Sequence, residues 1–144
     1  MEEKVIATNK KILRDFEIID KLEVGIELKG FEVKSIRDGK VSLDGAYIKE
    51  TNNEFFIYKM FIQMPPSLHA STSEKRRRKL LLHKNEIIRW STKVKEKGLA
   101  ILPLDVHTNN NRLKLTIALV RKKKLYGNKK KIEEKIAKRE MRNI

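Results

Sequence analysis

The stretch Leu102-Pro-Leu-Asp-Val-His-Thr-Asn-Asn-Asn-Arg-Leu-Lys-Leu-Thr-Ile-Ala-Leu-Val120 decides the fold class. Leu113, Leu115, Ile117 and Leu119 alternate with Lys114, Thr116, Ala118 and Val120. A period of two marks a strand with one buried face. Upstream, Leu102, Leu104 and Val106 alternate in the same way, and Thr108-Asn109-Asn110-Asn111 separates the two runs. Asparagine tolerates positive φ, so the runs are expected to fold back on each other as a hairpin.

Further hairpin signals lie outward from this one. Phe16, Ile18, Asp20 and Leu22 alternate through Ile19 and Lys21, and Val24, Ile26 and Leu28 continue the pattern. Ala46 to Ile48 and Phe55 to Met60 form another pair across Asn52-Asn53. Five or six short strands with turn signals predict a small barrel or sandwich. Two helices are expected among them. Phe31 to Arg37 is closed by Asp38-Gly39, and Asn85 to Lys97 places Ile87, Trp90 and Val94 on one face ahead of a capping Gly98. Gln63 to Lys79, with Pro65-Pro66 and four hydroxyl residues, reads as a long loop that is mobile over 64–77.

The chain of 144 residues carries 34 Lys and Arg against 19 Asp and Glu, a net charge of +15. It is long enough for one domain that buries roughly 68–70% of its unfolded surface. The absence of cysteine excludes disulfides, thiolate metal sites and a cysteine nucleophile. Met1-Glu2-Glu3-Lys4 lacks the basic start and apolar core of a signal peptide. The longest apolar run, Leu99 to Leu104, falls far short of the ~20 residues that span a bilayer. A soluble, cytoplasmic protein is expected. Its partner should be a polyanion, nucleic acid ahead of an anionic membrane surface.

The charge is uneven. Residues 121–144 hold eleven Lys and Arg against three Glu, which is +8 of the total. They read as a basic tail on a body of 1–120. Ile132 and Ile136, with Leu125, make only a thin apolar stripe, too little to offset the entropy of ordering. The tail is expected to be disordered when free. It should become helical from about Lys130 where phosphates neutralise its lysines. Tyr126 could stack on an unpaired base or pack back on the body.

No catalytic constellation emerges. Gly25-Ile-Glu-Leu-Lys-Gly30 has P-loop glycine spacing, but Phe31-Glu32 stand where the lysine and hydroxyl belong, so a strand ending in a turn is the better reading. His69, His83 and His107 form no ligand pair, and surface or capping roles are expected for them. No metal, no cofactor and no enzyme activity are expected. Three basic patches remain: Lys10-Lys11 with Arg14, Lys75 to Lys79, and Arg121 to Lys124 with Lys129 to Lys131. Together with the net charge they favour nucleic-acid binding, with phosphate contacts supplying most of the affinity.

Gly30-Phe-Glu-Val-Lys-Ser-Ile-Arg37, followed by Asp38-Gly-Lys-Val-Ser-Leu43, resembles the Gly-x-Glu-Val-Lys-Ser-Leu-Arg-x-Gly-Lys-x-x-Leu core of the SsrA-binding protein family, also called small protein B. Arg78-Lys-Leu-Leu-Leu-His-Lys-Asn-Glu-Ile87 and Val94-Lys-Glu-Lys-Gly98 with Leu102-Pro-Leu104 resemble further family blocks in the same order. The resemblance implies a mainly β fold with flanking helices: an oligonucleotide-binding-like closed antiparallel barrel with a basic C-terminal tail. It implies a non-enzymatic adaptor of trans-translation. Such an adaptor binds the tRNA-like domain of transfer-messenger RNA (SsrA RNA) and delivers it to stalled bacterial ribosomes, its tail reading the empty mRNA channel beside the small-subunit RNA of the decoding centre. A monomer with no membrane partner is expected.

For the tRNA-like domain the resemblance points to Asn9, Lys10, Lys11, Arg14, Glu23, Lys34, Arg37, Arg78, Lys79 and Leu81. For the ribosome it points to Lys123, Lys124, Tyr126, Lys129, Ile132 and Lys135. The tail departs from the family pattern at Lys122, Gly127, Asn128 and Glu133. A glutamate at position 23 must accept from a base edge or sugar hydroxyl, or orient a neighbouring cation. Two rival functions are a general single-strand RNA-binding module and a ribosome-associated structural protein.

Overall fold

The computed structural model describes residues 4–65 and 74–123. In chain order the elements are β1 (Lys4–Thr8), α1 (Lys10–Asp15), β2 (Phe16–Ile26), α2 (Gly30–Arg37), β3 (Val41–Ser42) and β4 (Tyr47–Thr51). They continue with β5 (Glu54–Tyr58), β6 (Phe61–Ile62), β7 (Arg78–Leu81), α3 (Lys84–Lys97), β8 (Ala100–Asn109) and β9 (Arg112–Lys122). The protein is mainly β with a few helices. The described residues form nine strands, more than the five or six expected, and a third helix over Lys10–Asp15 that was not expected.

The expected hairpin is there. β8 and β9 pair antiparallel from Ala100↔Val120 to Asn109↔Arg112. Asn110 and Asn111 have φ of 53° and 65°, the left-handed pair that a two-residue hairpin turn requires. Asn52 and Asn53, at 53° and 64°, do the same between β4 and β5. Helix α3 ends at Gly98 in the left-handed conformation, as its sequence predicts.

The strands lie in the order β1-β8-β4-β5-β7-β2-β9, with β8 also paired to β9. From β8 through β4, β5, β7, β2 and β9 the pairings therefore return to β8. The core packs against these strands. Phe55, Ile57, Leu115, Ile117 and Leu119 are fully buried, and α3 adds Ile87 and Trp90. Truncating a fully buried phenylalanine such as Phe55 to alanine costs about 3–5 kcal/mol.

Two β-bulges overturn the simple alternation read from the sequence. In β2 the register shifts between Ile18 and Asp20, and in β8 between Pro103 and Asp105. A one-residue slip sends every following side chain to the opposite face. Leu102 and Leu104 thus join Phe16 and Ile18 in a second cluster, outside the main core, while Val106, Leu22 and Val24 belong to the main core. Ala118 and Val120, expected on the solvated face of β9, are also buried. Ile12 of α1 covers them and is itself 1% exposed.

The stretch from Gln63 to Lys79 is not all loop. β7 begins at Arg78, with Arg78 and Leu80 buried and Leu81 exposed. Its charged start disguised the alternation. Residues 66–73 lie outside the described residues. On either side of them the Met64 N–H donates to the Glu74 carboxylate at 2.9 Å. β9 runs on to Lys122, and the Lys123 N–H donates to the Asp15 carbonyl at 3.0 Å.

Candidate nucleic-acid interface

The bulge in β8 builds the candidate site. It leaves the carbonyls of Pro103 and Leu104 to accept from Asn9. The Asn9 backbone N–H bonds Leu104 O at 2.8 Å and its side-chain amide bonds Pro103 O at 3.2 Å. This pins the start of α1 to β8, and Ile12 then seals the helix over Leu104, Ala118 and Val120. With one face of a two-turn helix fixed, Lys10, Lys11 and Arg14 are left exposed. They border a groove of about 670 Å³ whose far wall holds Asp44, Gly45 and Tyr47.

A polar row crosses the same outer face. Thr8, Asp105, Thr116 and Glu23 stand opposite one another on β1, β8, β9 and β2. His107, one step along β8 on the same face as Asp105, lies between two carboxylates. Its Nε2 is 2.6 Å from Glu23 Oε2 and its Nδ1 is 2.8 Å from Asp105 Oδ1. The Asn109 amide donates to both Glu23 oxygens at 3.2 Å. Burial pushes the His107 imidazole down, but the two carboxylates outweigh it and hold its pKa above the ordinary value. The His107 bond holds Glu23 below the usual carboxylate range against the penalty of burial, with help from Asn109 and the charge of Lys114.

His107 was expected to be a surface or capping residue. It is 5% exposed and bonded through both nitrogens, because the bulge turns it onto a face where two carboxylates meet it. His83 does occupy the start of α3, its N–H donating to Glu86 at 2.8 Å. His69 lies outside the described residues.

A second ionic cluster sits inside. Glu32 is fully buried and accepts from Arg78 at 2.7 and 2.8 Å, from Arg76 at 2.7 and 3.2 Å and from the Lys29 N–H at 2.8 Å. Arg78 spends its other donors on the carbonyls of Met60, Arg76 and Glu74. Burial pushes Glu32 up, yet Arg78, Lys29 and Arg76 hold its carboxyl below the usual range.

The predicted site residues therefore divide. Lys10, Lys11, Arg14 and Glu23 share the outer face of β8, β9 and β2. Leu81, 48% exposed, lies beyond it on β7, opposite Gly25, which continues the Glu23 face of β2. Arg37 on α2 reaches the hairpin turn, donating to Asn111 O at 2.7 Å, and Lys34 is exposed on the same helix. Lys79 pairs with Glu54 at 2.6 Å. Asn9 and Arg78 are buried and bonded within the protein, Asn9 to β8 and Arg78 to Glu32. Lys123 is tied back to α1, its Nζ donating to Leu13 O at 3.3 Å. Lys124, Tyr126, Lys129, Ile132 and Lys135 lie outside the described residues.

Sequence reading missed the partners of Glu23. Asp105, His107 and Asn109 recur at every second residue, the spacing that puts polar side chains on one strand face. That signal was legible. The pairing of Glu32 with Arg76 and Arg78 was not, because more than forty positions separate them. Among the described residues no three His, Asp or Glu side chains are grouped to hold a metal ion, and no helix is long and apolar enough to cross a membrane.

The chain resembles known proteins along nearly its whole length. The SsrA-binding protein of Persephonella marina is 45% identical over 139 residues, covering 96% of this chain and 91% of its own. That of Fusobacterium nucleatum is 45% identical over 145 residues, covering 96% and 97%. A solved structure described as "tmRNA-SmpB: a journey to the center of the bacterial ribosome" superposes with a TM-score of 0.62 at 38% identity, covering 79% of this chain and 81% of that one. The family model for the SmpB protein matches residues 6–144, and the chain belongs to that family.

Proposed function

We propose that the protein is an RNA-binding adaptor of trans-translation. It binds the tRNA-like domain of transfer-messenger RNA and delivers it to stalled bacterial ribosomes in the cytoplasm. The observation that carries this reading is the α1 platform: three cations presented by a helix that Ile12 and Asn9 fix over the outer face holding Glu23. Cations fixed on a rigid support contact phosphates with little ordering cost, and they position the RNA without reading its sequence. Glu23 supplies an acceptor for a sugar hydroxyl or base edge. The strand pairings that return to β8 support an oligonucleotide-binding-like closed barrel beneath this face. The role is binding and delivery, with no catalytic step and no cofactor, by a monomer.

The tail, 121–144 by charge, reads the empty mRNA channel near the decoding centre. Its lysines are neutralised there by ribosomal RNA phosphates. Lys123, Lys124, Tyr126, Lys129, Ile132 and Lys135 make those contacts. Truncation at Lys124 should leave binding of transfer-messenger RNA nearly unchanged and abolish peptide tagging on stalled ribosomes. Loss of both together would place the tail in the primary RNA site instead.

One observation favours a second reading, a general single-strand RNA-binding module. On the outer face of β4 and β5, Tyr47 and Tyr58 stack with ring centroids 5.4 Å apart, and the Arg77 guanidinium lies 4.3 Å from the centre of the Phe56 ring. Such surfaces stack bases without regard to sequence. Competition between unstructured RNA and the folded tRNA-like domain separates the two, since the adaptor prefers the folded RNA.

A further inference from the structure

We propose that His107 is a positioning residue for RNA recognition: as an imidazolium wedged between Glu23 and Asp105, it fixes the Glu23 carboxylate on the RNA-facing surface and removes one unit of negative charge from it. The inference rests on the RNA face proposed above and gives Glu23 a partner there.

The two ring nitrogens of His107 lie 2.6 and 2.8 Å from oxygens of two different carboxylates. An ionised carboxylate only accepts, and a neutral imidazole has one N–H. Both contacts are hydrogen bonds only when both nitrogens carry protons. Removing a proton leaves a nitrogen lone pair facing a carboxylate oxygen, and one of the contacts must open.

The other groups facing the ring do not replace it. From β9 come Lys114, whose charge acts on Glu23, and Thr116, whose hydroxyl is 3.4 Å from Nδ1. From β8 itself come Asp105 and Asn109, and from β1 the opposed residue is the uncharged Val5. Lys4, Arg37 and Asp38 gather around the neighbouring Thr108. Within the cluster His107 is therefore the group that offers a proton to each carboxylate. Glu23 and Asp105 carry −2 without its charge and −1 with it. Phosphates approaching the α1 cations meet a less repulsive surface when His107 is charged. A fixed carboxylate is also a better-placed acceptor for a ribose hydroxyl than a free one.

The test uses the full chain and the isolated tRNA-like domain of transfer-messenger RNA. Affinity is measured from pH 6 to pH 10 at constant ionic strength for the wild type, His107→Gln and Glu23→Gln. The wild type should lose affinity as pH rises through the His107 titration. At pH 6 the His107→Gln variant should bind about tenfold more weakly, one unit of log Kd, and its profile should lack that step. A His107→Gln variant with wild-type affinity and the same profile overturns the proposal, while Glu23→Gln binding weakly in the same experiment leaves the RNA face standing. Glu23→Gln with unchanged affinity overturns both. Nitrogen-15 spectra of the wild-type ring give a readout independent of any variant's folding. Both nitrogens should be protonated in the free protein at pH 7, and a single protonated nitrogen there refutes the wedge.

Discussion

The protein holds two ionic clusters of opposite design. Inside, one carboxylate, Glu32, is gripped by two arginines, all but Arg76 out of reach of water. Outside, one imidazole, His107, is gripped by two carboxylates, and Glu23 keeps 38% of its side chain exposed. The inner cluster ties α2 to the chain entering β7, so its work is to hold the fold. The outer cluster lies on one sheet face beside the α1 cations, so its work is to shape a surface. Depth separates the roles. Breaking a buried pair strands a charge in a poor solvent, whereas water screens a partly exposed one.

The largest effect should come from the inner cluster. Arg78→Met leaves the Glu32 carboxylate buried with Arg76 as its one remaining cation and should cost about 3–5 kcal/mol in denaturant unfolding. A loss below 1 kcal/mol would mean that water reaches Glu32 freely. Replacing Lys10, Lys11 and Arg14 together with alanine should leave stability within about 0.5 kcal/mol and reduce RNA affinity at least tenfold, with a flatter salt dependence. An unchanged salt slope would remove α1 from the interface.

The clusters should also answer pH in opposite directions. Glu32 is held below its ordinary value, so its contribution to stability is present above that value and fades as pH falls through the depressed pKa. His107 is held above its ordinary value, so its contribution is complete below that value and fades as pH rises through the elevated pKa. Unfolding midpoints across pH for Arg78→Met and His107→Gln should therefore lose the acid limb in one and the alkaline limb in the other. The smallest effect is at the surface: Lys79→Ala breaks a half-exposed, solvent-screened pair with Glu54 and should leave the unfolding midpoint almost unchanged in the same assay.

Local pattern carried much of the fold. The two Asn–Asn turns, the helix ending at Gly98 and the alternation of Leu113 to Leu119 were all legible, because each is a property of neighbouring residues. The bulges were not. Leu102, Leu104 and Val106 look like one face on paper, yet an extra residue in β8 splits them between two clusters. In the candidate site, Lys10, Lys11 and Arg14 could be seen as charge but not as a helix. What makes Lys10–Asp15 helical is the seat it finds, with Asn9 and Ile12 docked on a strand some ninety residues away. Short helices draw most of their stability from such packing.

The sequence by itself determined that this chain is strongly basic and rich in short β-strands, because composition and short-range periodicity need no partner to be read, and its ordered motif blocks carried the resemblance to SsrA-binding proteins. Only the tertiary structure decided which charges reach the surface. Arg78 looked like one more cation in a basic run and is sealed against Glu32, while His107 looked like an isolated histidine and stands between two carboxylates. The physical reason is that a side chain's charge state and exposure are set by whatever folds against it, and here those neighbours come from strands and helices far apart along the chain.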